Sequence, residues 1–249
     1  MESSSTVEKA IDLLFHLHSA RGPLGVTEIG RALGIPKSSA HRMLQALCSR
    51  KLVERNGRGR YQPGFGLLQL GLGVQDREPV VAAARPLLEA EAQRLGETLF
   101  LVAARGGELI VLDKAEGTSF LRAAPQVGSA VPVHATAVGK LYLAFDAAAV
   151  TNLDSEAVDA LPAFTPGTLT DRTSLQNTVS EVRERGWASS RDEWIAGLSV
   201  IAAPVRAGGR IHGAVALGAA SARLDELGGD ALGPKLQAIA REIAKRIEG

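Results

Sequence analysis

Two short helical stripes separated by a glycine turn, and followed at once by an arginine-rich hairpin, constrain the folding of this chain more than any other feature. Thr27 and Glu28 open a first segment whose Ile29 and Leu33 share one side, and Gly34 closes it. Ile35-Pro36 starts a second segment that runs from Lys37 to about Arg50, with Ala40, Leu44, Leu47 and Cys48 on its inner side. Two short helices joined by a tight glycine-containing turn make a helix-turn-helix. Ahead of them, Val7, Ala10, Ile11, Leu14 and Leu17 recur at helical spacing, so a leading helix is expected with that stripe buried. Behind them, residues 53–61 read as a small hairpin around Asn56-Gly57, a dipeptide that favours a turn with positive φ at both central positions. Arg55, Arg58 and Arg60 crowd this hairpin, which is the pattern of a wing.

A recognition helix buries one face against its own domain and presents polar side chains to base edges on the other. With Ala40, Leu44 and Leu47 turned inward, Lys37, Ser38, Ser39, His41, Arg42 and Gln45 are left outward, and Thr27 stands at the start of the preceding helix. The serines and His41 offer hydrogen bonds, Arg42 suits guanine or phosphate, and the helix N-terminus adds backbone donors for a phosphate. Any one of these alone is an ordinary solvated side chain; the ordered set of short helix, turn, basic helix and arginine hairpin points to double-stranded DNA. Charge supports this. Residues 1–66 hold ten Lys or Arg against five Asp or Glu, whereas the remainder of the chain is mildly acidic.

Residues 67–78, rich in Gly and Leu before Asp76-Arg77-Glu78-Pro79, read as a linker helix, which divides the chain into 1–66, 67–78 and 79–249. Helical spacing resumes over 80–95 and stops at Gly96. Strand-like runs then follow at 98–104, 108–114 and 119–124, with Gly106-Gly107 as a turn. A helix is expected over 134–145, a poorly patterned stretch over 147–166, and a second helix over 175–185. Strands at 187–191, 199–206 and 211–218, the last two joined by Gly208-Gly209, precede an amphipathic helix over 233–247. The fold class expected is α+β, with an antiparallel sheet of five or six strands flanked by helices.

These residues resemble the isocitrate-lyase-regulator type (IclR family) of bacterial transcription factors. The resemblance is carried by Val7-Glu-Lys-Ala-Ile-Asp-Leu-Leu, by the run from Thr27 through His41-Arg42-Met43-Leu44, and by Tyr61-Gln-Pro-Gly. In the second part it is carried by Val131-Pro-Val-His-Ala-Thr-Ala-Val-Gly-Lys, Arg183-Glu-Arg-Gly-Trp and the run from Asp192-Glu193 to Ala203-Pro204-Val205. It implies a winged helix-turn-helix, a linker helix and a GAF-like effector domain. It also implies homodimers, often paired into homotetramers, on palindromic operators, and a small-molecule effector. The family pocket falls on Ala137, Val138, Gly139, Ser190, Val200, Ala216 and Gly218. Members that hold small carboxylates tend to place hydroxyl or thiol groups where this chain has Val200, Ala216 and Gly218. A larger, less polar effector is therefore expected, because a site without donors cannot offset the desolvation of a small carboxylate. Lys140 stands either toward an anion or toward solvent, the commoner case, and Glu193 is expected to be structural.

Two other classes compete with a sensor: an enzyme built on the second domain, and a DNA-binding scaffold that senses nothing. For catalysis, His134 with Thr136 and Lys140 is the nearest approach to a nucleophile and base. No Gly-x-Ser-x-Gly, phosphate-binding glycine loop or metal-spaced histidine pair occurs, so no enzyme activity, cofactor or metal is expected. Cys48 is the only cysteine, which excludes an internal disulfide. No apolar run approaches a membrane span of about 20 residues, so the expected location is the cytoplasm, at the nucleoid when DNA-bound.

Overall fold

A computed structural model describes residues 5–20, 22–75, 77–119, 125–150 and 161–248. The chain divides into two compact units, Met1–Arg77 and Glu78–Gly249.

The first unit opens with α1 (Thr6–Ser19). Ser5 starts it with a reciprocal cap: its hydroxyl accepts from the Glu8 N–H at 3.2 Å, and the Glu8 carboxylate accepts from the Ser5 N–H at 2.5 Å. Helices α2 (Val26–Ala32) and α3 (Lys37–Ser49) follow, joined through Gly34 at φ +62°. Gly30 permits their close approach, since a Cβ there would stand 3.0 Å from the Ile35 carbonyl. Strands β1 (Val53–Arg55) and β2 (Tyr61–Pro63) pair antiparallel, and α4 (Phe65–Gln75) completes the unit. Leu13, Leu17, Ile29, Leu44, Val53 and Tyr61 form its core, with Leu47 and Cys48 packed half-buried against it.

Two expectations fail here. In α1 the buried residues are Leu13 and Leu17, whereas Val7, Ile11 and Phe15 are exposed. Leu17 and the half-buried Leu14 of the expected stripe do pack on the core, but its first part, Val7 and Ile11, does not, and Leu13 takes the innermost place. The wing turn also differs. Neither Asn56 nor Gly57 has positive φ; Gly59 does, at +75°. The Asn56 side chain explains this, because its Oδ1 accepts from the N–H groups of Arg58 and Arg60, both at 3.0 Å. That side-chain acceptor holds a longer loop, closed by Asn56 N–H to the Arg60 carbonyl at 2.8 Å, with the left-handed residue at its end.

In the second unit, α5 (Pro79–Leu95) begins on a proline, whose missing N–H costs nothing there, and ends at Gly96 in the left-handed region. A six-stranded antiparallel sheet has the order β5-β4-β3-β8-β7-β6. Its strands are β3 (Thr98–Arg105), β4 (Glu108–Ala115), β5 (Ala130–Val131), β6 (Ala188–Arg191), β7 (Leu198–Ala207) and β8 (Arg210–Ala220). The two hairpins β3–β4 and β7–β8 turn on Gly106-Gly107 and Gly208-Gly209, all four at positive φ, as two-residue turns of right-twisted strands require. Between the strands lie α6 (Ala137–Phe145) and α7 (Arg172–Arg185); α8 (Ser221–Glu226) and α9 (Gly229–Glu248) close the chain.

Both faces of the sheet are covered, so its strands are apolar on both sides. Leu99, Leu101, Ile201, Ala203, Val205, Val215 and Leu217 pack against Val81, Ala84 and Leu88 of α5 and Leu236, Ala240 and Ile243 of α9. Their alternating neighbours Phe100, Val102, Ala202, Ala214 and Ala216 pack against Val138, Leu141 and Tyr142 of α6 and Val182 of α7. Most of the strand run expected at 119–124 lies outside the described residues, as do 151–160 of the poorly patterned stretch. Helix α6 starts three residues later than its apolar spacing predicts, because Thr136 caps it by accepting from the Gly139 N–H at 3.1 Å. Helix α8 was not expected at all; six residues are too few for periodicity to show.

Candidate nucleic-acid interface and ligand cavity

Helix α3 hides Ala40 and Leu44 completely and leaves Lys37, Ser38, Arg42 and Gln45 exposed. Ser38, Arg42 and Gln45 recur at i, i+4 and i+7, which aligns them on one face. Ser39 and His41 are half-buried beside that ridge, and Thr27 is exposed in the first turn of α2. Pro36 precedes α3 and no side chain caps it, so its first-turn amides keep donors free for an anion.

The three wing arginines divide by environment. Arg58 is exposed at the loop tip, and no partner of its guanidinium occurs among the described residues. Arg55 lies 5.8 Å from the Tyr61 ring centroid and reaches the Gly59 carbonyl at 3.4 Å. Arg60 is turned back onto its own domain: Nε donates to the Pro23 carbonyl and Nη2 to Glu28 Oε2, both at 2.8 Å. The same Glu28 oxygen accepts from the Gly25 N–H at 2.6 Å. The Gly25 amide, and with it the Arg60 guanidinium, holds the Glu28 carboxyl below the usual carboxylate range. Leu24 and Tyr61 exchange backbone hydrogen bonds at 2.7 and 2.8 Å beside this cluster. The wing is thereby tied to the start of α2.

Beside the ridge, Val7, Ile11 and Leu14 of α1 and Ile35, Met43 and Leu47 around α3 line an apolar groove of about 710 Å³, with Ser39 and Arg42 also on its wall. Phe65, Leu68, Leu70, Leu72 and Val74 leave α4 exposed and apolar along its whole length. Hydrophobic residues in such numbers are not a normal monomer surface.

In the second unit a cavity of about 40 Å³ lies between the sheet and α6, walled by Phe100, Val102, Pro125, Val131, Thr136, Val138, Trp194, Leu198, Val200 and Ala216. It takes in Val138, Val200 and Ala216 of the seven residues expected there. Ala137 is wholly buried in the packing of α6 on the sheet. Gly139 is pressed against the Val133 carbonyl, where a Cβ would come within 1.7 Å. Ser190 is buried in β6 opposite Val200, and Gly218 pairs with Thr98 and Val200 in the sheet; neither borders the cavity. Phe100, Val102 and Trp194 were missed, and their own segments carry no local mark of a site. Thr136, the one hydroxyl among the lining residues, spends it on the Pro132 carbonyl at 2.7 Å and on the Gly139 N–H. The lining is therefore apolar in effect. Ligand pockets are usually about 300 Å³ or more, so a ligand requires this one to open.

Next to it Lys140 is 2% exposed, not solvated: Nζ lies 2.5 Å from Glu193 Oε1 and 3.1 Å from the Ser189 carbonyl. The position one turn beyond Thr136 carries its side chain into the domain, which spacing alone could not reveal. Burial pulls the Lys140 ammonium below its ordinary range, against the pull of Glu193 in the other direction. Glu193 Oε2 is buried and has no hydrogen-bond partner among the described residues. The backbone around it is fixed: Thr168 Oγ1 donates to the Glu193 carbonyl at 2.5 Å, and Asp192, at φ +54°, accepts from the Gly197 N–H at 2.6 Å. His134 reaches the Pro162 carbonyl at 2.8 Å and stacks on Phe164. His134, Thr136 and Lys140 thus each engage separate partners and form no nucleophile–base pair.

Two family models match the chain. That of the IclR helix-turn-helix domain covers residues 6–57, and that of the bacterial transcriptional regulator IclR C-terminal domain covers residues 73–245. The chain belongs to the IclR family. Among its IclR relatives is the probable transcriptional regulator SauR of Cupriavidus necator, 33% identical over 249 residues, which are 98% of this chain and 97% of that protein. The IclR crystal structure from Thermotoga maritima superposes with a TM-score of 0.80 at 26% identity, covering 98% of this chain and 99% of that one. An IclR homologue from Microbacterium hydrocarbonoxydans, solved in complex with 4-hydroxybenzoate, gives 0.85 at 22% identity with the same coverage. As an IclR protein, this chain is a transcriptional regulator and not an enzyme, with an N-terminal helix-turn-helix domain for DNA and a C-terminal effector domain. No helix among the described residues is long and apolar enough to cross a membrane.

Proposed function

We propose that this regulator docks α3 in the major groove of a palindromic operator, reads bases with Ser38, Arg42 and Gln45, and seats the helix start on a phosphate through Lys37 and the free amides. Ser39, His41 and Thr27 flank these contacts. Arg58, exposed at the wing tip, meets the neighbouring backbone or minor groove, with Arg55 behind it; Arg60 holds the wing in place. The observation that carries this reading is the exposed ridge of α3 beside a wing braced to α2.

The working unit is a homodimer. The exposed apolar residues of α1 and α4 support a seam between two copies, which would set two recognition helices about 34 Å apart, one turn of duplex. Pairing of dimers into tetramers rests on the family resemblance alone. The site of action we assign is the cytoplasm, at the nucleoid. The apolar cavity lining supports an effector that is largely apolar or aromatic, admitted as Trp194 and its neighbours part. It acts by binding one dimer geometry better than another, since only differential affinity shifts a population.

The test uses the full chain and a duplex selected from a random pool, with affinity measured against salt. Arg42→Ala with Arg58→Ala is expected to weaken binding and to flatten the slope of log K against log salt by about 0.9 per lost phosphate contact. Unchanged affinity in that double variant refutes the docking. For the effector, thermal unfolding is followed with a panel of aromatic and aliphatic acids. A binder at 100 times its Kd adds about 2.7 kcal/mol. If only small aliphatic acids stabilise the protein, the apolar-effector reading fails.

A further inference from the structure

A second cleft in the C-terminal unit gathers positive charge without any acid to answer it. Strand β7 runs ten residues, but β6 pairs only with Ser199 to Ala202 of it, so β7 continues past its neighbour and leaves a notch at the sheet edge. Pro204 stands there, where a residue without an N–H leaves no ladder bond broken on the open side. The notch is a cleft of about 220 Å³ lined by Phe145, Arg183, Gly186, Pro204, Arg206, Gln237 and Arg241. Three arginines from three different elements, α7, β7 and α9, face one small space, and no lining residue is acidic.

Each arginine is placed differently. Arg183 caps the end of α6, donating from Nε to the Ala144 carbonyl at 2.9 Å and from Nη2 to the Leu143 carbonyl at 3.3 Å, and no partner of Nη1 occurs among the described residues. Arg206 lies 5.1 Å from the Phe145 ring centroid, a stack that steadies the guanidinium face and leaves its N–H edge open. Arg241 has no hydrogen bond or ion pair among the described residues, and Arg206 has only the ring. Like charges held close repel, and that repulsion is relieved when an anion enters between them. Guanidinium edges match the oxygens of phosphate two at a time; the Gln237 amide on the cleft wall already donates to the Arg185 carbonyl at 3.2 Å, so the arginines carry the recognition.

We propose that this cleft is a binding site for a small phosphate-class dianion, inorganic phosphate or a short phosphorylated metabolite. It is separate from the apolar cavity, although α6 borders both, with Val138 on the cavity and Phe145 on the cleft. The regulator would then carry a polar input beside the apolar one.

The experiment titrates the full chain, free of DNA, with inorganic phosphate by calorimetry and phosphorus NMR, at an ionic strength held constant with chloride. Saturable binding is expected, with sulfate competing and succinate at least tenfold weaker. Arg206→Gln combined with Arg241→Gln is expected to weaken phosphate at least tenfold, and Arg206→Lys less, because the charge remains. Unfolding midpoints within a few degrees of wild type establish that both variants fold; these side chains are exposed, and Arg183 is left to cap α6. Absence of saturable phosphate binding, full binding in the double variant, or succinate binding more tightly than phosphate would each overturn the proposal. So would a double variant that binds phosphate as wild type does but lowers the salt slope for duplex DNA, which would make the arginines contacts for the DNA backbone.

Discussion

Replacing Lys140 by methionine removes a cation of nearly the same length from the interior of the effector domain and leaves Glu193 behind. Among the described residues that carboxylate has Lys140 Nζ at 2.5 Å from Oε1, a long 3.4 Å contact from the Arg191 N–H besides, and no partner on Oε2. Both side chains are below a tenth exposed, so water cannot take the place of the lost partner. Breaking a buried pair from one side costs about 3–5 kcal/mol, because an uncompensated charge remains. For a domain of this size each kcal/mol moves Tm by about 2–4 °C, so Lys140→Met is expected to lower Tm by about 6–20 °C. Removing both partners, as Lys140→Met with Glu193→Leu, eliminates the stranded charge and is expected to recover most of the loss. The assay is well placed: the chain's two tryptophans, Trp187 and Trp194, both lie in the second unit, so tryptophan fluorescence during urea or thermal unfolding reports that unit alone. If the single variant loses under about 1 kcal/mol, or the double variant is as unstable as the two singles summed, the pair is not the coupled buried unit described.

Arg60→Ala is expected to loosen the wing from α2 and to lower the thermal stability of the DNA-binding unit, whereas Arg58→Ala leaves that stability unchanged; differential calorimetry separates them. Glu28 adds a pH signature to the same brace. Its folded carboxyl titrates below its ordinary 4.5, so its stabilisation is present above that value and lost as pH falls through the lower folded value, and Glu28→Gln should abolish this acid-side slope. Ile11→Glu with Leu70→Glu places charge on the apolar faces of α1 and α4 and is expected to yield monomers in sedimentation; a dimer that persists refutes the seam. Ala216→Ser puts a hydroxyl into the wall of a cavity lined almost wholly by apolar side chains, and is expected to cost about 1–3 kcal/mol in urea unfolding.

What could be read without coordinates was whatever short-range chemistry decides. Ala40 and Leu44 are buried as their spacing required, Lys37, Ser38, Arg42 and Gln45 are exposed as the remainder of that helix required, and both Gly-Gly dipeptides turn hairpins. Five of the six strands fall where extended runs and turns placed them; the short edge strand β5, Ala130–Val131, was not expected, because two residues carry no pattern of their own. Of the seven residues that resemblance assigned to a pocket, three line the cavity beneath α6; Phe100, Val102 and Trp194 reach its wall from strands and turns far apart in the chain.

By itself, then, the amino-acid order determined most of the longer helices and strands, where the basic ridge lies, and which family the protein belongs to, because periodicity, capping and turn residues act over a few positions; the short α8 and β5 escaped it. Only the tertiary structure decided how much of the α1 stripe is covered, that the Asn56 amide reshapes the wing, that Arg60 braces while the Arg58 side chain is exposed, and that Lys140 lies buried on Glu193. Each of these depends on a partner many residues away, and no local pattern says where a side chain that could face either water or protein will find its better environment.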